Sequence, residues 1–90
     1  MPSGIAGEAF VDVVNEFDCD VYVEFTDPFP GGQSRESFRV TRNSTKRVDM
    51  ASGRYAVVIY GYAPDKQYMG QKLYTATSGN NRVSVRFLAN

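Results

Sequence analysis

The sequence predicts an all-β fold: a small antiparallel two-sheet β-sandwich of about seven strands. Three observations predict it. Apolar and polar residues alternate in short runs, as in 21-VYVEFT-26 and 82-RVSVRF-87. Turn residues punctuate those runs at 27-DPFPGGQS-34, 42-RNST-45, 51-ASG-53 and 78-SGNN-81. No stretch of useful length repeats its apolar residues at helical spacing.

The predicted strands follow in order. The first covers residues 8–15. The second, residues 20–26, puts Val21, Val23 and Phe25 on one face and Tyr22, Glu24 and Thr26 on the other. Two prolines and two glycines then force a loop. The third, residues 36–41, points Phe38 and Val40 inward. The fourth, residues 46–50, does the same with Val48 and Met50. A tight turn at Gly53 leads into the fifth strand, residues 54–62, and the sixth covers residues 68–76. The 78-SGNN-81 stretch reads as a hairpin turn into the seventh, residues 82–88, with Val83, Val85 and Phe87 inward. The expected core is Phe25, Phe38, Val40, Val48, Val57, Ile59, Val83, Val85 and Phe87.

Ninety residues suit one domain over residues 1–90, with residues 1–7 expected as a flexible tail. A chain of this size buries about 60–65% of its unfolded surface, enough for one core. No apolar run approaches the roughly 20 residues of a membrane-spanning helix, so no membrane association is expected. The opening MPSGIAGEAF lacks the basic and apolar regions of a signal peptide. The single cysteine, Cys19, allows no internal disulfide and fits a reducing compartment.

Charge is balanced overall but uneven along the chain. Residues 1–32 hold seven acids and no Lys or Arg, whereas residues 33–54 hold six basic residues and two acids. Either acidic and basic strands are neighbours whose outer faces pair, or the charges separate into two poles that dock partners. The first reading is favoured, because a net charge of zero fits internal pairing and gives no steering toward nucleic acid.

Several chemistries are excluded or weakened. There is no histidine, so histidine-activated nucleophiles and histidine-ligated zinc are absent. Cys19 lies between Asp18 and Asp20, whose charges disfavour a thiolate. Asp18 and Asp20, with Glu16 or Asp27, could offer oxygen ligands to calcium, but they lack EF-hand spacing and read better as a solvated acidic turn. Gly31-Gly32 lacks the Lys-Ser/Thr of a phosphate loop. Asn43-Ser44-Thr45 matches a glycosylation sequon and reads as a turn. Nothing marks a pocket that would raise a carboxyl pKa for glycosidase work. No enzyme activity and no cofactor are therefore expected.

The tyrosines carry the functional reading. In 54-RYAVVIYGYAPDKQY-68 the fifth strand is apolar on both rows: Tyr55, Val57 and Ile59 on one, Ala56, Val58, Tyr60 and Tyr62 on the other. A half-exposed strand should keep one polar row. Either loops such as 27–34 or 63–72 fold over the second row, or it meets a partner, for which tyrosine is well suited. The expected binding residues are Tyr60, Tyr62, Tyr68 and Met69, with Arg39 and Arg42 from the basic cluster. Arginine beside tyrosine could also stack on nucleic-acid bases, but the acidic first third would repel phosphates.

The run Val48-x-Met50-x-x-Gly53-x-Tyr55-x-Val57-x-Ile59-x-Gly61-Tyr62 resembles the signature of PEGA and carboxypeptidase-regulatory-like (prealbumin-like) domains. Val83-x-Val85-x-Phe87 is similar to their closing strand, and Ser52 stands where the signature has proline. The resemblance covers residues 46–88 and implies a binding, stalk or adhesion module. The function expected is thus a non-catalytic module that binds a protein partner or itself. The alternatives are a structural subunit of a virion or fibre, a small inhibitor that occludes a surface, and a carbohydrate-binding module.

Overall fold

The computed structural model describes residues 7–61 and 67–89. Seven strands form a two-sheet sandwich: β1 (Glu8–Val14), β2 (Val21–Thr26), β3 (Ser34–Val40), β4 (Thr45–Ala51), β5 (Gly53–Gly61), β6 (Tyr68–Ala76) and β7 (Gly79–Ser84). A single helical turn, α1 (Val85–Leu88), follows. One sheet has the order β4-β1-β7 and the other β3-β2-β5-β6. No helix among the described residues is long and apolar enough to cross a membrane.

The alternation read from the sequence sets the core. Val21, Val23 and Phe25 of β2 meet Val57 and Ile59 of β5 in register and are fully buried. Ala9, Val11 and Val13 of β1 cover them from the other sheet. Phe25 is the aromatic centre, stacked on Phe38 and edge-on to Tyr55 and Tyr74. Phe38 packs on this core but is only partly buried, because β3 lies at the edge of its sheet.

Three expectations are corrected. The sandwich is not wholly antiparallel, because β1 runs parallel to β7, with Val13 opposite Val83. The 78-SGNN-81 turn is not a hairpin, because β6 and β7 belong to different sheets. Only Thr77 and Ser78 separate those strands, and Gly79 turns the corner at φ +95°, where a side chain would be strained. Asn81 locks that corner. Its Oδ1 accepts from the Thr77 N–H (3.0 Å), and its Nδ2 donates to the Thr77 and Gly79 carbonyls (2.8 and 3.0 Å).

The third correction is Phe87, which is 61% exposed and not core. The seventh strand stops at Ser84, whose hydroxyl accepts from the Arg86 N–H and caps α1. Helical spacing then buries Val85 and Leu88 together and turns Phe87 outward, where Lys72 sits over its ring at 5.2 Å. Of the expected tail, residues 1–6 lie outside the described residues, and the Gly7 carbonyl accepts from the Ser52 N–H.

Asn15 ends β1 rather than extending it. It is the one buried polar residue among those described. Its Nδ2 donates to the carbonyls of Cys19 (2.8 Å) and Val40 (3.1 Å), and its Oδ1 accepts from the Phe17 N–H (2.9 Å). One side chain thereby pins the crossing from β1 to β2 against the end of β3.

Candidate functional site

The register of the four-stranded sheet builds a surface that no single strand shows. Tyr60 on β5 lies opposite Tyr22 on β2 and Tyr68 on β6, and Tyr22 lies opposite Arg39 on β3. The row Arg39–Tyr22–Tyr60–Tyr68 therefore crosses the whole outer face. Tyr60 and Tyr68 meet edge-on, with ring centroids 6.3 Å apart. The Tyr22 and Ser37 hydroxyls are hydrogen-bonded. The next outward row is Ser37, Glu24, Val58 and Gln71, and the one after it brings Thr26, Ala56 and Leu73 together.

The loop between β2 and β3 forms a wall beside that third row. Its shape comes from Asp27. The carboxylate accepts from Arg35 Nε (2.8 Å) and Nη2 (3.1 Å), a two-pronged pair, and from the Gln33 N–H (3.1 Å). The Arg35 guanidinium, ahead of the Gln33 N–H, holds the Asp27 carboxyl below its ordinary pKa. Gly32 passes so close that an added Cβ would lie 2.5 Å from Asp27 Cβ, so only glycine fits. The result projects Phe29 between Pro28 and Pro30. With Thr26, Ala56, Val58, Gln71 and Leu73 they line a shallow groove of ≈ 350 Å³.

Loop 27–34 thus covers the second apolar row in part: Ala56, Val58 and Tyr60 are half-buried, while large apolar groups around them stay exposed. Phe29 is 61% exposed, Leu73 57% and Tyr68 53%. The polypeptide keeps these apolar groups in water at a cost that burial against another surface would reverse.

The expected binding residues separate. Tyr60 and Tyr68 come together on the outer face, and Arg39 ends the same row, 3.1 Å from the Asp20 carboxylate. Arg42 lies in the turn after β3, where its backbone N–H donates to Asp20 (2.9 Å). Met69 leaves the outward row and is half-buried. A register shift after Ile59 places it as the extra residue on β6, packed against the core. Tyr62 lies outside the described residues, as does the loop segment 63–66. Sequence reasoning missed Phe29, Leu73 and Tyr22. Phe29 was legible as a large apolar residue set between two loop prolines; the other two needed the strand pairing.

The acids take separate partners. Asp12, Asp20 and Asp27 pair with Arg47, Arg39 and Arg35 at 2.8–3.2 Å, so each ion pair joins the acidic first third to the basic stretch after it. Glu16 accepts from the Ser84 hydroxyl at 2.7 Å. Among the described residues no three His, Cys, Asp or Glu side chains gather as a metal site. In the sequon, Asn43 occupies the left-handed region at φ 53° and forms the turn between β3 and β4.

No protein-family model, no curated protein and no solved structure matches this chain.

Proposed function

We propose that the protein is a non-catalytic interaction module that binds protein through the outer face of its four-stranded sheet. The observation that carries this is the exposed apolar pair Phe29 and Leu73 at the groove, on the same face as the tyrosine row that ends at the exposed Tyr68. Aromatic anchors around a shallow groove with a polar surround are the usual anatomy of a protein contact. The resemblance to PEGA and carboxypeptidase-regulatory-like domains supports the same class of role. A carbohydrate platform is the weaker reading. Tyr60 and Tyr68 stand at 70° to each other, so both rings cannot lie flat against one sugar face.

The test is a photo-reactive benzoylphenylalanine placed at Leu73, with the same group at Asp49 on the other sheet's outer face as control. The probe at position 73 should cross-link to protein on illumination in cell extract, and the control should not. Equal labelling from both positions, or none from position 73, would remove this face from consideration.

A further inference from the structure

We infer that the partner is a second copy of this chain, with two four-stranded sheets stacked outer face to outer face about a two-fold axis. This rests on the interaction-module reading and names its occupant.

Edge pairing, the other route by which sheets assemble, is obstructed. Register places Glu36 on β3, Lys46 on β4 and Lys72 on β6 opposite the buried Phe25, Val13 and Val57. Each of these edge strands therefore aims a charge toward the core side, a device that discourages a further strand from adding. The fourth edge, β7, has Asn81 committed to its corner and is followed directly by α1. The uncovered apolar face remains as the surface for assembly.

That face is complementary to itself. Its apolar strip runs through Ala56 and Leu73, which are paired on β5 and β6. Glu24 lies on one side of the strip, opposite Val58 on β5. Arg54 lies on the other side, two residues before Ala56 and on the same outward row, opposite Thr75. Neither is in an ion pair among the described residues. An axis that crosses the strands at Ala56 and Leu73 reverses position along the strands and keeps position across them. It brings Leu73 onto its own copy. It also sets Glu24 of each copy one strand spacing, about 4.8 Å, to the side of the other's Arg54, across sheets about 10 Å apart. Long side chains span that offset, and the contact is made twice, as a symmetric interface requires. A net charge of zero leaves no overall repulsion between copies.

Sedimentation equilibrium tests this on the full chain over roughly 1 μM to 1 mM, the affinity range for weak to moderate association. Reversible dimer should appear, and Leu73→Glu should be monomeric while far-UV circular dichroism shows it folded. Glu24→Arg and Arg54→Glu should each weaken dimerisation about tenfold, since each sets two like-charge contacts. The double variant, and an equimolar mixture of the two single variants, should recover most of the loss. A dimer indifferent to Leu73→Glu, or charge variants that are neutral or do not rescue each other, would overturn the inference. So would a monomer throughout. In that last case, cross-linking from position 73 to a different protein would leave the interaction-module reading standing.

Discussion

The two outer faces of the sandwich are built from the same strand chemistry and finish differently. On the three-stranded sheet, Asp12 of β1 lies between Arg47 and Arg82 and is 3.2 Å from the Arg47 guanidinium. Arg47 also covers the Phe10 ring, at 5.7 Å, and donates to Asn80. Phe10, the one aromatic group on that face among the described residues, thus lies under a charge. On the four-stranded sheet the corresponding aromatic and aliphatic groups, Tyr68, Leu73 and Phe29, are left in water. An apolar side chain on an outer strand row is ordinary when its neighbours shield it. Large apolar groups left without such a shield are what the proposed contact surface rests on.

The largest expected effect tests whether these faces belong to one cooperative unit. Phe25 touches aromatic groups on three other strands of the sandwich. Phe25→Ala should cost about 3–5 kcal/mol in urea denaturation. Probes on either face should report one transition; two separate transitions would mean that the faces are held independently. Phe87→Ala, by contrast, should cost less than about 1 kcal/mol, because the ring is exposed and held by one cation contact.

Next in size is the link between the sheets. Asn15→Ala leaves the Cys19 and Val40 carbonyls without their donor, and should cost about 1–3 kcal/mol. Hydrogen exchange should quicken at residues 15–20 and 40–44. If only one side responds, the residue serves one sheet and not the crossing.

Alkaline pH probes the interior beneath the four-stranded sheet. Burial raises the pKa of both Tyr55 and Tyr74 above the ordinary phenol value. The unfolded chain therefore ionises first. Stability is full below about pH 10 and falls as pH rises above it. Urea midpoints between roughly pH 8 and 11 should show the fall. Tyr74→Phe should flatten part of it, and an unchanged profile would show that Tyr74 is not what titrates.

The smallest effects sharpen the contrast itself. Asp12→Ala should lower stability by at most about 1 kcal/mol, and less in high salt, as for an exposed ion pair. Leu73→Glu should change stability by no more than about 0.5 kcal/mol, since its site is already wet. A loss of several kcal/mol at Leu73 would show that the apolar strip supports the fold and is not spare surface.

Much of this arrangement was legible in the chain because period-2 patterning is local. Val21, Val23 and Phe25 against Tyr22, Glu24 and Thr26 could be assigned to faces from six letters. What could not be read locally depended on partners distant in sequence. A turn signal such as 78-SGNN-81 says that the chain bends, not whether the next strand joins the same sheet. Met69 looked outward until the register shift beside Ile59 displaced it by one. Alternation from Val83 to Phe87 continued on paper after the backbone had become helical, and the one local warning was Ser84, a good cap. The tyrosine row was half visible: Tyr60 stood out in its strand, but joining it to Tyr22 and Arg39 required knowing which strands are neighbours.

The pairing of β1 with β7 also orders events in time. Of the seven strands β1 is made earliest, yet it lies between β4 and β7. Until β7 emerges, β1 can be held on one side by β4, and its other backbone edge is open. The four-stranded sheet can assemble as soon as β6 is available, while the three-stranded sheet waits for the final strand. A chain in which β7 is not yet available therefore exposes an unpaired β1 edge, and sheets completed by distant strands close slowly. Released chains truncated after residue 76 should be the ones that chaperones hold, and chains that run through β7 should not.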